Sequence, residues 1–268
     1  MSAPSITALW QGSWGHVRAH LRHTQVLTFR NLLRVKDDPL SLLDSVLMPV
    51  VFTVLFVYVF GGAMSSSREA YMQYLVPGLL GVLATNISLS AGSGMSTDFR
   101  DGIVDRLRSL PISPSSVLFA KLIAELLRAL FSLSILLCLA MVIGLDVPAG
   151  PLGLLGAISL NLVFAAAVLW ISLFLGMVAR TPQSVQGLIV IVAVPLQFGS
   201  SIFAPPRTMP DWLQTFTQFN PLSALADTSR NLINGGPVGH PALIVLMWSA
   251  GITAVFAPLA GARFRQRE

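Results

Sequence analysis

Six long apolar runs decide what this chain can fold into. They cover residues 40–61, 71–96, 117–145, 151–178, 184–203 and 242–262. Each run supplies the roughly 20 apolar residues that a helix needs to cross a bilayer. Because a helix satisfies its own backbone hydrogen bonds in lipid, the runs predict an all-α integral membrane protein with six transmembrane helices.

The composition agrees with a membrane protein. Charged residues make up 11% of the chain, against roughly 25% in an ordinary soluble domain, and the mean hydropathy is +0.72. Six spans and their connections use up the 268 residues, which predicts a single membrane domain over 1–268 without an appended catalytic domain. In a soluble protein a net charge of +5 could suggest a nucleic-acid partner. In a membrane protein the location of the positive charges matters more than their sum, so we expect no nucleic-acid partner.

The distribution of positive charge predicts the orientation. Thirteen of the 17 lysines and arginines fall on one side of the predicted spans, before the first, between the second and third, at Arg180 and after the last. Arg68, Arg207 and Arg230 fall on the other side. Because loops rich in Lys and Arg stay inside, we expect a multi-pass protein of the cell membrane with both termini in the cytoplasm.

Two further helical regions are predicted outside the spans. Trp10, Trp14, Val17 and Leu21 recur at helical spacing near arginines, which favours an amphipathic helix in the inner membrane interface over a solvated helix packed on a partner. The polar, proline-rich segment between spans five and six has helix-start signals at Pro210 and Pro221. We expect short re-entrant helices there, dipping into the outer leaflet.

Signals for catalysis are weak. His16, His20 and His23 lie about one turn apart but have no nearby cysteine, and Cys138 is the only cysteine, so we expect no metal site. The sequence has no G-x-x-x-x-G-K-[ST] phosphate loop, so any energy from ATP has to come through a partner. An intramembrane transferase is an alternative, but it would have to rely on His240 and Asp211, which no motif surrounds.

Polar residues inside the spans form two stripes and one charged group. Lys121, Glu125 and Arg128 share a face of span three, near its predicted cytoplasmic end, where two ion pairs are possible and a structural anchor is favoured over a proton relay. The stripes either bond neighbouring helices or line a route for a bulky amphipathic substrate. Their members, in spans two and five, are Asn86, Ser90, Ser93, Thr97, Gln186, Gln197 and Ser201.

The densest charge lies between spans two and three, in the sequence DFRDGIVDRLRSLPIS at 98–113. Ile103, Leu107 and Leu110 share one helical face, while charged residues occupy the others. This predicts a short amphipathic helix that ends before Pro111. It either docks into a partner's groove or is an ordinary solvated loop helix.

Three sequences together resemble the membrane subunit of type 2 ABC exporters, in particular the daunorubicin-resistance kind of permease. They are DDPLSLLDSVLMPVVFTVLFVYVFGG at 37–62, DFRDGIVDRLRSLPIS at 98–113 and FNPLSALADTSRNLINGG at 219–236. The resemblance extends over nearly the whole chain. It implies a non-catalytic half-transporter that pairs with a second copy or a paralogue and with two P-loop ATPase subunits, which bind the ATP and Mg²⁺.

The resemblance also assigns residues. It implies that 98–110 is the coupling helix that contacts the ATPase, and that spans two and five face each other across the dimer axis. The contact residues are then Asp98, Arg100, Asp101, Gly102, Asp105, Arg106, Leu107 and Arg108. We therefore expect export of amphipathic small molecules, either drugs or lipids, with export of a lipid-linked glycan or polymer as the alternative.

Overall fold

The computed structural model describes Thr28, Leu47 and residues 50–61, 67–108 and 114–266, and every regular element in these ranges is helical. The helices are α1 (residues 50–61, π-helical over Phe56–Phe60), α2 (Arg68–Arg100), α3 (Ile103–Arg108), α4 (Pro114–Ile143), α5 (Gly150–Val178), α6 (Pro182–Phe198), α7 (Asp211–Phe219), α8 (Pro221–Asn234) and α9 (Gly239–Gln266). A short 3₁₀ turn, Pro206–Thr208, precedes α7. The predicted all-α class is confirmed for the described residues.

Four helices are long and apolar enough to cross a membrane, namely α2, α4, α5 and α9. Two shorter apolar helices, Val50–Val59 and Pro182–Phe198, lie in the predicted first and fifth spans. The chain is thus a multi-pass helical protein, while the count of six spans stays a prediction. The predicted interfacial helix, the three histidines at 16, 20 and 23 and the first part of span one lie outside the described residues, except for Thr28 and Leu47.

The fifth span is shorter than its apolar run suggested. We expected it to reach residue 203, but α6 ends at Phe198, and Gly199 caps it. Pro195 lacks a backbone N–H, which weakens the last turns of the helix. The carbonyl groups of Leu196 and Gly199 accept hydrogen bonds from the Asn220 Nδ2 atom, at 2.7 and 3.1 Å. A side chain that is distant in sequence therefore replaces further helical hydrogen bonds at this end.

The centre of the bundle is a close contact between α2 and α5. A Cβ atom added at Gly92 would lie 2.5 Å from the Ser172 carbonyl oxygen, and one added at Gly176 would collide with the Gly92 carbonyl. The Ser172 hydroxyl donates across this contact to the Leu89 carbonyl at 2.8 Å. Small residues let membrane helices approach closely where no hydrophobic effect drives them together. This contact through Gly92, Gly176 and Ser172, which we call the glycine and serine seam, fixes α2 against α5.

Local sequence signals begin and end the flanking helices. The Ser67 and Thr181 hydroxyls each accept a backbone N–H in the first turn of α2 and α6, at 3.1 Å in both cases. Asn220 caps α8 with Pro221 in its first turn, and Gly235 ends α8 at a φ of 79°. Such caps satisfy backbone groups that the helix itself leaves unpaired. The helices predicted at Pro210 and Pro221 are confirmed, but their depth in a membrane stays a prediction.

Candidate functional site

A polar face runs along α2. Asn86, Ser90 and Thr97 are exposed, and Ser93 is half-buried. The three hydroxyl groups donate to carbonyls of their own helix, Ser90 to Ile87 at 2.7 Å, Ser93 to Ser90 at 2.8 Å and Thr97 to Ser93 at 3.1 Å. Local bonding of this kind satisfies a hydroxyl donor without a neighbouring helix. The stripe therefore presents a polar surface on the outside of the single chain.

The structure brings only one pair from the two predicted stripes together. The Gln197 Nε2 atom of α6 donates to the Asn86 Oδ1 atom of α2 at 2.8 Å. Gln186 is exposed, eleven residues earlier on α6. Ser201 follows α6 and is buried, and its hydroxyl donates to Asp227 at 2.9 Å. Asn86 and Gln197 thus bond neighbouring helices, whereas Gln186 and the α2 hydroxyls leave a surface open.

Charged side chains of α4 border the α2 stripe. The Lys121 Nζ atom lies 2.5 Å from the Asp98 carboxylate, and the Arg128 Nη2 atom lies 3.0 Å from Glu125 and 2.6 Å from the Ser90 hydroxyl. The sequence spacing allowed Lys121 to pair with Glu125 on its own helix, but Lys121 instead reaches across to α2. Arg128 is the fifteenth of 30 residues in α4, deeper than the expected cytoplasmic end.

The Glu125–Arg128 pair is incompletely satisfied. The Glu125 and Arg128 side chains are 15% and 12% exposed. The Glu125 Oε2 atom is held by the Arg128 Nη2 atom at 3.0 Å, whereas the buried Arg128 Nε atom has no hydrogen-bond partner among the described residues. Unsatisfied buried polar atoms are unusual and often mark functional positions. The pair therefore combines a helix-anchoring contact with spare hydrogen-bonding capacity beside the polar stripe.

The charged stretch between α2 and α4 folds as a turn followed by one short helix. Asp98 and Arg100 belong to the end of α2, so the expectation that a separate helix covers them is wrong. Gly102 makes the turn at a φ of 67°, a conformation that glycine adopts readily. The separate helix, α3, begins at Ile103. Asp101 and Arg106 are exposed, while the side chains of Asp105, Leu107 and Arg108 lie outside the described part.

The anchor of α3 is a residue that the sequence analysis missed. Val104 is 2% exposed and belongs to a cluster with Met95 of α2, Leu118 of α4 and Phe264 of α9. Ile103, which belongs to the apolar stripe predicted from the sequence, packs against the buried Ala120 of α4. Only the tertiary fold shows that Val104, on the neighbouring face, lies in a cluster drawn from four other helices. Through Val104, α3 is fixed to the bundle core.

A second missed cluster centres on Arg230 of α8, which is 8% exposed. Its guanidinium donates to the carbonyls of Tyr74 at 2.7 Å, Ser201 at 2.7 Å and Ile202 at 3.1 Å. It also pairs with Asp227 at 2.6 Å and lies over the Tyr74 ring at 3.7 Å. One side chain thereby joins α8, α2 and the turn after α6. The signal in the sequence was the i, i+3 spacing of Asp227 and Arg230, which allows an ion pair on one helix.

The residues of the transferase alternative lie on the surface, at the starts of two different helices. Asp211 begins α7 and His240 lies in the first turn of α9, and both are exposed. The part of the chain that the structure describes contains no group of three or more potential metal ligands.

Comparison with known proteins defines the class. Residues 22–234 match the ABC-2 type transporter family, and the chain belongs to this family. It is 37% identical, over 89% of its length and 84% of the relative's, to the daunorubicin resistance ABC transporter permease protein DrrB1 of Streptomyces coeruleorubidus. It is 25% identical, over 93% and 91%, to the probable doxorubicin resistance ABC transporter permease protein DrrC of Mycobacterium tuberculosis. A putative transport permease, ycf38 of Cyanophora paradoxa, is 26% identical over 77% and 72%.

Proposed function

We propose that this chain is the membrane-spanning permease subunit of an ATP-driven exporter of amphipathic small molecules. Two relatives that it matches over most of their length are named for resistance to daunorubicin and doxorubicin. A separate P-loop ATPase, in two copies, hydrolyses the ATP, and a second permease copy or a paralogue completes the membrane part. The charge distribution orients both termini toward the cytoplasm, on the same side as α3.

The observation that carries the proposal is the polar face of α2 with charges beside it. Asn86, Ser90 and Thr97 are exposed on a helix of membrane-spanning length, and the Arg128–Glu125 pair adjoins them. Polar groups in contact with lipid are unfavourable, so such faces turn toward protein or a water-filled cavity. A route between two permeases provides that environment. An amphipathic cargo then meets hydroxyl, amide and charged groups along one wall.

The short helix α3 provides the connection to the ATPase in this proposal. Asp101 and Arg106 are exposed for contact with a partner, while Val104 is buried among α2, α4 and α9. Shifting a two-state equilibrium from 1:99 to 99:1 takes roughly 5.5 kcal/mol of differential binding. Closure of the ATPase dimer on nucleotide supplies such a bias, and a rigidly anchored helix transmits it to the spans.

The test is reconstitution with an ATPase. We would co-express the chain with a candidate ATPase subunit, purify the complex and screen amphipathic compounds for stimulation of ATP hydrolysis in proteoliposomes. Stimulation by a subset of compounds, with ATP-dependent movement of the same compounds, is the expected result. A complex that hydrolyses ATP but moves none of them would contradict the proposed substrate class. Chemical turnover of a lipid or acyl donor by the chain alone would instead favour a transferase.

A further inference from the structure

Four charged side chains alternate in sign along the contact between α2 and α4. From the end of α2 into α4 they are Asp98, Lys121, Glu125 and Arg128. The Lys121 Nζ atom lies 2.5 Å from the Asp98 carboxylate, and the Arg128 Nη2 atom lies 3.0 Å from the Glu125 carboxylate. The four side chains are between 12% and 22% exposed, so water competes little for them. We call them the charge row.

The two inner members of the charge row each have a second possible partner, which is the other one. Lys121 and Glu125 are four residues apart on α4, so their side chains leave the same face of the helix within reach of each other. A lysine that precedes a glutamate is the less favourable order for such a pair. In the structure Lys121 pairs with Asp98 of α2, and Glu125 pairs with Arg128. If Asp98 moved away, Lys121 would turn to Glu125, because a buried charge without a partner is costly.

Arg128 connects the charge row to the polar face of α2. Its Nη2 atom donates to the Ser90 hydroxyl at 2.6 Å, and its buried Nε atom has no hydrogen-bond partner among the described residues. Glu125 neutralises Arg128 as long as it pairs with no other cation. Once Lys121 shares that carboxylate, the guanidinium has less negative charge beside it and binds an acceptor oxygen of another group more strongly. The pairing of Lys121 therefore changes what Arg128 offers to a cargo beside α2.

Asp98 is the member of the charge row that lies next to α3 in the sequence. It belongs to the last turn of α2, which ends at Arg100. The turn at Gly102 then leads directly into α3. Val104 of α3 is buried in the same cluster as Met95, which precedes Asp98 by about one turn of α2. A force on α3 therefore reaches the turn that carries Asp98 both through the chain and through side-chain packing.

From this geometry we propose that Asp98 and Lys121 are positioning residues that set the affinity of Arg128 for cargo. The inference rests on the proposed function, because it names how the polar wall of α2 is regulated. While Lys121 pairs with Asp98, Glu125 holds Arg128 alone and the cargo binds weakly. When a movement of α3 withdraws Asp98, Lys121 pairs with Glu125 instead. Arg128 then binds a carbonyl, hydroxyl or carboxylate oxygen of the cargo.

A stability cycle on the purified full chain in detergent tests the exchange of partners without ATPase or cargo. Asp98→Asn leaves Lys121 with Glu125 as a second partner, so the thermal midpoint should fall only slightly. Glu125→Gln leaves Lys121 on Asp98. The double variant removes both partners of Lys121, and its midpoint should fall by more than the sum of the two single losses. Additive losses would overturn the proposal, because Lys121 would then have one fixed partner.

The matched control combines Asp98→Asn with Asp227→Asn. Asp227 pairs with Arg230 at i, i+3, as Glu125 pairs with Arg128, but its cation belongs to α8 and not to the charge row. The two losses in the thermal midpoint should add in this control. An excess loss here as well would overturn the exchange, because it would assign the effect to the removal of any two acidic groups.

Cargo binding measures the consequence for transport, with daunorubicin as the probe because a relative is named for resistance to it. Its dissociation constant is measured by fluorescence on the reconstituted complex with the ATPase subunit, with and without a non-hydrolysable ATP analogue. In the unmodified complex the two values should differ by roughly 5- to 150-fold, the usual range of coupling between two sites. Asp98→Asn should bind with one affinity in both states, whereas Asp98→Glu, which keeps the carboxylate, should retain the difference.

Two results of the binding measurement would overturn the proposal. One is equal affinity in both states for the unmodified complex, and the other is an undiminished difference in Asp98→Asn. No binding in either state would instead contradict the cargo class of the proposed function. The stability cycle would then still decide whether Lys121 exchanges partners.

Discussion

At the scale of single residues, two arginines with mostly buried side chains, Arg230 and Arg128, determine how the helices are joined. Arg230 donates to the backbone carbonyls of Tyr74, Ser201 and Ile202, and Asp227 pairs with it. Arg128 and Glu125 form a pair in which the Arg128 Nε atom has no hydrogen-bond partner among the described residues. In the first cluster the guanidinium has several hydrogen-bond partners, which is typical of a structural role. The second has the incompleteness expected where another group is to bind.

Arg230→Met should destabilise the protein strongly. The substitution removes the guanidinium that donates to the carbonyls of Tyr74, Ser201 and Ile202 and that pairs with half-exposed Asp227. A buried group that loses its hydrogen-bond partner costs about 1–3 kcal/mol. Arg230→Lys should recover only part of the loss, because an ammonium group lacks the planar fork that reaches several acceptors. The measurement is the thermal midpoint of the purified protein in detergent. An unchanged midpoint for Arg230→Met would contradict the role of Arg230 in holding the helices together.

The Glu125–Arg128 pair can be separated into structural and functional parts. Glu125→Gln and Arg128→Met alone should each lower stability, on the order of 2–3 kcal/mol, whereas the double variant should be near neutral, as is usual when both charges of a buried pair are removed. If the pair also contacts cargo, the stable double variant loses transport in proteoliposomes. Full transport by the double variant would show that the pair acts only as a structural anchor.

At the scale of elements, the described helices follow the apolar runs closely. Runs of 20 or more apolar residues fix the existence of a helix, and Ser67, Thr181 and Asn220 fix where helices begin. The sequence could not show where α6 ends, because Asn220 and Arg230 reach that turn from other elements. It could not show Val104 as an anchor of α3 either, since that side chain is buried in a cluster drawn from four other helices.

Val104→Ala should weaken coupling more than assembly. The smaller side chain leaves a gap among Met95, Leu118 and Phe264, with a stability loss of about 1–2 kcal/mol. The exposed residues of α3 stay in place, so the ATPase subunit should still co-purify. The measurement is substrate-stimulated ATP hydrolysis in the reconstituted complex, which we expect to fall.

A matched control changes charged residues of this stretch instead. Replacing Asp101, Asp105 and Arg106 together should abolish stimulation while the permease stays folded, because these side chains would meet the ATPase. Unchanged stimulation in both variants would mean that α3 does not connect the two subunits.

At the scale of the whole molecule, the charge distribution makes a prediction about sidedness. In a Cys138→Ala background, Arg106→Cys and Gln218→Cys introduce labelling sites on α3 and α7, both at exposed positions. A membrane-impermeant maleimide added to intact cells should label position 218 and leave position 106 unlabelled until the cells are opened. Labelling of both positions from outside would contradict the orientation derived from the positive-inside rule.

The two opposite sides of α2 are under different constraints. On one side the glycine and serine seam with α5 admits almost no larger side chain. On the other side Ser93 and Thr97 bond only to their own helix, whereas the Ser90 hydroxyl also accepts from Arg128 of α4. Replacing Ser93 or Thr97 therefore leaves no neighbouring helix with an unsatisfied group, and these two positions can change while the helix keeps the bundle together. Under the proposed function, side chains that meet cargo can thus change without rebuilding the contact with α5.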